Sequence, residues 1–186
     1  MKREIRVLGI DDAPFKKFSK GDVLVVGTFF RGGDWLDGVL STEVRIDGNN
    51  STLKLISMIN KSKFKPQLQA IILDGIALGG FNIVDINQLA EKTKIPVIVV
   101  IRRMPDFKKI EAALKKMKKI RKYRLIEKAG EVFKVGKIYV QLAGISLEDA
   151  KNVLKITCTR SLLPEPIRVA HLIAAGIVKG ESKGDA

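Results

Sequence analysis

The stretch LQAIILDGIALGGFNIVDI, residues 68 to 86, constrains the fold more than any other part of the chain. Ala70 to Leu73 is an apolar run with no polar side, the pattern of a strand buried on both faces, and Asp74 stands at its carboxyl end. Core packing does not explain a buried strand that ends in Asp74-Gly75. The following turn supplies Gly79 and Gly80, which let the chain reverse tightly. A helical pattern is expected after it, from about Asn82 to Thr93, with Asn82 or Asp85 near its start. Pro96 then sets up a strand from Val97 to Ile101, and strand, helix, strand in this order predicts a parallel crossover. Ligands of open parallel sheets bind outside the carboxyl ends of the strands, so Asp74 sits where chemistry is usual. Asp-Gly is also a common turn pair, and Asp74 gains weight only if other strands bring carboxylates to the same edge.

Two other strands do. Residues 4 to 10, EIRVLGI, read as a strand that delivers Asp11 and Asp12, and Pro14 keeps a helix from following. After a turn at Ser19 to Asp22 comes the apolar strand VLVVGTFF, and Trp35 to Ile46 forms a third strand antiparallel to it that closes on Asp47. Ser51 and Thr52 are placed to cap a helix whose apolar face is Leu53, Ile56 and Ile59, with Leu55 a further candidate. Strands one and four would lie side by side, with Asp11 and Asp74 facing each other. Close carboxylates repel unless a cation lies between them. A hard divalent ion such as Mg²⁺ takes two or three carboxylates and keeps several waters, which suits Asp11, Asp74 and Asp47. The chain has no CxxC, HExxH, GxGxxG or GxxxxGK[ST] pattern. Structural zinc, zincin chemistry, dinucleotide binding and a Walker-type phosphate loop are therefore unsupported.

The net charge of +14 raises the local concentration of polyanions, and DNA or RNA is the expected partner. A lysine-rich surface also suits life at high temperature, although that composition usually enriches Glu as well. The cationic density peaks in a helix expected to start at Met104-Pro105-Asp106, with Ile110, Ala113, Leu114 and Met117 on one face. Between Lys108 and Arg124 nine residues are Lys or Arg, against the single acid Glu111. Its outer face, including Lys115, Lys119 and Lys122, is either a solvated surface or a track for phosphates.

Tyr123 to Leu142 reads as short antiparallel strands, Ser146 to Ile156 as a capped helix, and Pro164-Glu165-Pro166 as the opening of a helix from Ile167 to Val178. That last helix carries the lone histidine, His171, three residues after Arg168, so both can address one anion. A nucleophile-elbow sequence does not accompany His171. Cys158 has no disulfide partner and is expected to be buried and inert. No apolar run is long enough for a membrane span, and Met1-Lys2-Arg3 leads straight into a strand, so a cytoplasmic protein with no membrane association is expected. One domain over residues 1 to 180 is expected, with a frayed tail from 181 to 186.

This string of elements resembles the ribonuclease H-like fold: an α/β mixed sheet of three antiparallel strands followed by parallel ones, with helices on both faces. The motifs resemble endonuclease V, in particular its archaeal endonuclease V-like branch. They are Gly9-Ile10-Asp11, Asp74-Gly75 with its glycine turn, and Pro164-Glu165-Pro166-Ile167-Arg168-Val169-Ala170-His171, the most specific of the three. The resemblance implies cleavage of nucleic acid near deaminated adenine with a divalent metal, Mg²⁺ or Mn²⁺. Asp11 and Asp74 would be ligands, His171 would stand at the family's last catalytic position, and Arg102 would lie near its usual lysine. Two features depart from the family: Asp47 replaces a glutamate, and no P-Y-x-P-G wedge lies between Trp35 and Asp47. A nucleic-acid-binding or regulatory protein that keeps the fold without turnover is the rival reading, and a small-molecule phosphate enzyme a third.

Overall fold

The computed structural model describes residues 4 to 16 and 19 to 183. The expected lead-in at Met1 to Arg3 and the last three residues of the expected tail lie outside the described residues.

Three strands open the chain: β1 (Arg6–Asp12), β2 (Asp22–Arg31) and β3 (Trp35–Arg45), paired antiparallel in succession. Helix α1 (Ser51–Asn60) leads to β4 (Ala70–Asp74), which returns beside β1 and runs parallel to it. Leu78 and Asn82 are then paired across a small hairpin, β5 (Ala77–Leu78) with β6 (Asn82–Ile83), turned by Gly79 and Gly80 at φ 55° and 83°. The helix expected from Asn82 starts later, as α2 (Ile86–Thr93), because Asp85 caps it by accepting from the Gln88 amide at 3.0 Å. Strand β7 (Val97–Ile101) completes the crossover parallel to β4.

The basic segment is not one helix. It breaks into α3 (Phe107–Lys116), a left-handed residue at Lys118 (φ 56°), a 3-10 turn and α4 (Tyr123–Lys128), the last where strands were expected. The strands come later, as a hairpin of β8 (Phe133–Val135) and β9 (Ile138–Ala143). β9 pairs antiparallel with β7, so the parallel part of the sheet is confined to β1, β4 and β7. The sheet order is β3-β2-β1-β4-β7-β9-β8. Helices α5 (Leu147–Thr157), capped by Ser146, and α6 (Glu165–Lys179) finish the described fold.

Side-chain alternation in the central strands builds two cores. Leu8, Ile10, Ile71, Leu73 and Val99 pack with α1 and α2 through Leu55, Ile59 and Leu89. Val7, Ile72, Ile98 and Val100 pack with α5 and α6 through Val153, Leu154 and Ile167. The inner face of α1 is the expected one except for Leu53: Leu55 and Ile59 are buried and Ile56 packs against the core, whereas Leu53 is 63% exposed. Ser51 and Thr52 do not cap this helix. They are buried, and the Ser51 hydroxyl donates to the Ile83 carbonyl at 3.2 Å.

One contact sets the position of α6. Gly9 lies against the Pro166 backbone so closely that any Cβ there would collide with it. Beside it, the Thr28 hydroxyl donates to the Pro166 carbonyl at 2.6 Å. The helix is thus fixed at its first turn on β1 and β2, and it runs from there toward the carboxyl end of β1.

Candidate active site

Period-two alternation puts Val7, Gly9 and Asp11 on the α6 side of β1, and Asp11 is the first residue past the Gly9 contact on that face. Five residues beyond Pro166, His171 reaches the strand end, and its Nδ1 lies 2.8 Å from Asp11 Oδ2. The other oxygen, Oδ1, accepts the Asp12 amide at 2.8 Å. Asp11 is 5% exposed.

The parallel register Ile10 to Leu73 brings Asp74 next to Asp11 on the neighbouring strand, roughly one strand spacing of about 4.8 Å away along the backbone. Asp74 Oδ2 accepts from the Arg102 guanidinium at 2.8 Å. Burial, and then the Asp74 charge, raise the Asp11 pKa above the ordinary carboxylate value, although the His171 hydrogen bond pulls the other way. His171 is raised in turn, chiefly by its bond to Asp11. With Nδ1 donating to a carboxylate, Nε2 is the ring nitrogen left for a ligand.

These groups line an open cavity of about 820 Å³. Asp11, Asp12, Asp74 and His171 form one part of it, Arg102, Lys179 and Lys183 contribute cations, and Pro14, Phe15 and Ala175 give it apolar surface.

The residues fit a hard divalent ion that keeps most of its water. Two carboxylates at matched register, one of them desolvated and raised by the other's charge, are relieved by a cation between them, and each oxygen has a lone pair beyond the bond it makes. Among the described residues no group of three or more His, Cys, Asp or Glu is gathered as a metal site, so waters or substrate oxygens would complete the shell.

The remaining expected residues lie elsewhere. Asp47, in a left-handed conformation (φ 52°), is not on the cavity wall. Its carboxylate accepts the Phe81 amide at 2.8 Å, and its amide donates to the Gly79 carbonyl at 2.7 Å. Its own carbonyl accepts from Lys119 Nζ at 2.8 Å and Lys122 Nζ at 2.9 Å. Lys122, only 8% exposed, also donates to the carbonyls of Gly48 and Phe81. Burial and the Lys119 charge lower its pKa to about 8. Lys115 pairs with Glu111 at 2.6 Å. Arg168 turns to Glu165, with Nε and Nη2 at 2.9 and 2.7 Å from one carboxylate oxygen, and does not line the cavity.

The cavity also takes residues for which no site role was expected from sequence, Asp12, Lys179 and Phe15 among them. Asp12 faces the other side of β1 and accepts the Gly79 amide at 2.9 Å, and burial raises its pKa to about 6. Lys179 lies two steps of four residues beyond His171 on α6, a spacing that could have found it. Phe15 follows the Pro14 break and carries no periodic signal. Glu181 and Lys183, expected in the frayed tail, line the cavity as well. Cys158 is half-buried, and burial followed by the Glu165 charge pushes its thiol up to about 11. It is therefore less buried than expected.

Solved endonuclease V structures share this α/β fold. The Bacillus subtilis enzyme matches with a TM-score of 0.60 at 11% identity, over 94% of this chain and 81% of that one. The Ciona intestinalis enzyme, in complex with DNA containing an inosine followed by a ribo-adenosine, matches with a TM-score of 0.57 at 18% identity, over 90% and 82%. The chain belongs to the family described as Endonuclease dU, which matches residues 3–178. A UPF0215 protein of Methanothermobacter thermautotrophicus is 52% identical over all of this chain and 94% of its own length. A crystal structure of a protein of unknown function from Archaeoglobus fulgidus has a TM-score of 0.88 at 41% identity, covering 94% of this chain and 99% of that one. Among the described residues no helix is long and apolar enough to cross a membrane.

Proposed function

We propose that the protein is a divalent-metal-dependent phosphodiesterase acting on nucleic acid. The observation that carries this reading is the pair Asp11 and Asp74, at matched register on parallel strands, with His171 beside them in an open cavity. Mg²⁺ or Mn²⁺ held by Asp11 and Asp74 would supply a polarised water and stabilise charge developing on the phosphate.

The chain's own groups do the rest. The Asp12 amide orients Asp11, and Asp11 holds the His171 ring with Nε2 available to orient the attacking water or protonate the leaving oxygen. Arg102 holds Asp74, and with Lys179 and Lys183 it draws phosphates to the cavity mouth. The inosine-containing DNA bound by the Ciona enzyme makes altered bases candidate substrates, but the missing wedge leaves inosine preference outside the proposal.

The rival is a nucleic-acid-binding or regulatory protein without turnover. Its support is that His171 and Arg102 already pair with both carboxylates. One experiment separates the two. Asp74→Asn is expected to abolish Mg²⁺-dependent cleavage of single-stranded or inosine-containing substrates while salt-steep binding persists. Unchanged cleavage in Asp74→Asn removes Asp74 from the mechanism, and wild-type affinity indifferent to both Mg²⁺ and EDTA, without cleavage, favours the rival.

A further inference from the structure

Most of the chain's charge lies outside the cavity. Between Arg102 and Lys128 twelve residues are Lys or Arg and three are Asp or Glu, a net +9 of the chain's +14, and of these only Arg102 lines the cavity. The segment has an apolar cluster of its own: Leu114 and Ile126 pack with Ile83, and Phe107 and Tyr123 close around them. Lys119 and Lys122 turn inward to the Asp47 carbonyl and pin the segment to the body. Helix α3 is therefore held in one orientation, with Leu114 fully buried.

At about 100° per residue, Lys108, Lys109, Ala112, Lys115 and Lys116 share the face opposite Leu114, and all five are exposed. The four lysines frame Ala112 over about 12 Å of helix, and the small alanine side chain leaves the surface open between them. Their acidic neighbours hold them weakly. Lys109 pairs with Asp106 and Lys115 with Glu111, but these lysine side chains stay 87% and 62% exposed, and ion pairs of that kind contribute too little to oppose exchange for a phosphate.

We infer that this face of α3 is a phosphate-binding surface for double-stranded nucleic acid, separate from the cavity. Cations at fixed spacing, with no group between them that could read a base, match a backbone and carry no sequence information. A surface for single strands interleaves aromatic rings on which bases stack, whereas the rings nearest to α3, Phe107 and Tyr123, are taken up by the apolar cluster. A paired helix has its bases turned inward and its phosphates outermost, so charge alone suffices to hold it. Arg102 and Phe107, the first residue of α3, are five Cα steps apart, at most about 19 Å, so one nucleic acid can reach both the cavity and this face.

The inference rests on the nucleic-acid reading above and is tested apart from cleavage. Binding of the full chain to an undamaged DNA duplex, to a single strand of the same length and to polyglutamate is titrated against salt in EDTA. Lys108→Gln, Lys109→Gln, Lys115→Gln and Lys116→Gln combined are expected to weaken duplex binding at least about tenfold and to lower the slope of log affinity on log salt by about 3 to 4, near 0.9 per lost phosphate contact. Gln suits a helix as well as Lys does, so circular dichroism should be unchanged. Arg at the same four positions keeps the charge and should keep both affinity and slope. A charge-matched control, Gln at the exposed Lys134, Lys137, Lys151 and Lys155, should keep the slope. Equal losses in the two Gln variants mean that net charge alone is at work and overturn the inference. A single strand bound as tightly as the duplex, or polyglutamate competing as well as the duplex at equal charge, overturns it too. Duplex binding lost only in the α3 variant, with no cleavage by wild type, leaves this surface standing and removes only the phosphodiesterase reading.

Discussion

Three acidic strand ends lie on the same edge of the sheet, in two clusters with opposite fates. At the ends of β1 and β4, Asp11, which is desolvated, and Asp74 stand side by side, paired with His171 and Arg102, and open to a cavity. At the end of β3, Asp47 is surrounded by backbone partners from the Gly79 to Phe81 turn, and Lys119 and Lys122 tie its carbonyl to the basic segment. A carboxylate satisfied by main-chain amides holds a turn. One facing a second carboxylate stores unfavourable charge that a cation or a proton relieves. Position at a strand end is therefore not sufficient for chemistry, and the partners decide.

Replacing an acid in each cluster gives the sharpest contrast. Asp74→Asn should lower kcat by at least about 100-fold, as expected on losing a ligand of the cation that would stabilise transition-state charge. Steady-state cleavage of a labelled oligonucleotide checks it, and a loss of only a few-fold would erase the distinction between the clusters.

Lys122→Met strikes the structural cluster. It removes the buried donor from the carbonyls of Gly48 and Phe81 and leaves that of Asp47 with Lys119 alone, which should cost roughly 2–4 kcal/mol. Thermal or urea unfolding reads this, and cleavage per folded molecule should stay near wild type.

Asp12→Asn gives a smaller, pH-dependent effect. With its pKa raised by burial from 3.8 to about 6, Asp12 favours the fold fully below pH 3.8, and that contribution is lost as pH rises through about 6. The asparagine can still accept the Gly79 amide and does not ionise. The variant should therefore gain on the order of 1–3 kcal/mol over wild type above pH 7, and nothing near pH 3.5, in unfolding measured with EDTA. A constant difference between the two proteins across that range would contradict the assignment.

The smallest effect is expected at Asp47→Asn. Asn tolerates the left-handed backbone and keeps an acceptor for the Phe81 amide, so stability should change by less than about 0.5 kcal/mol and cleavage by less than about threefold.

The meeting of Asp11 and Asp74 was legible because buried strands announce themselves as apolar runs and the order of elements sets strands one and four side by side. His171 was legible through its helix opening, Pro164-Glu165-Pro166. Asp47 was misleading, since a strand-end acid before glycine looks the same in sequence whether it meets a cation or a backbone amide. Lys122 was hidden for a related reason: lysine reads as surface, and only three carbonyls converging from distant turns make its burial favourable. Arg168 shares a helix with His171, yet Glu165 three residues earlier holds it. The break of the basic helix at Lys118 had no glycine or proline to announce it.

The most direct measurement is Mn²⁺ binding to the intact protein, followed by electron paramagnetic resonance of the free ion, in wild type, Asp11→Asn, Asp74→Asn and Asp47→Asn. Saturable binding that is lost in Asp11→Asn and Asp74→Asn and kept in Asp47→Asn is the predicted result. No saturable binding in wild type, or loss of binding only in Asp47→Asn, would contradict the claim that Asp11 and Asp74 share one cation.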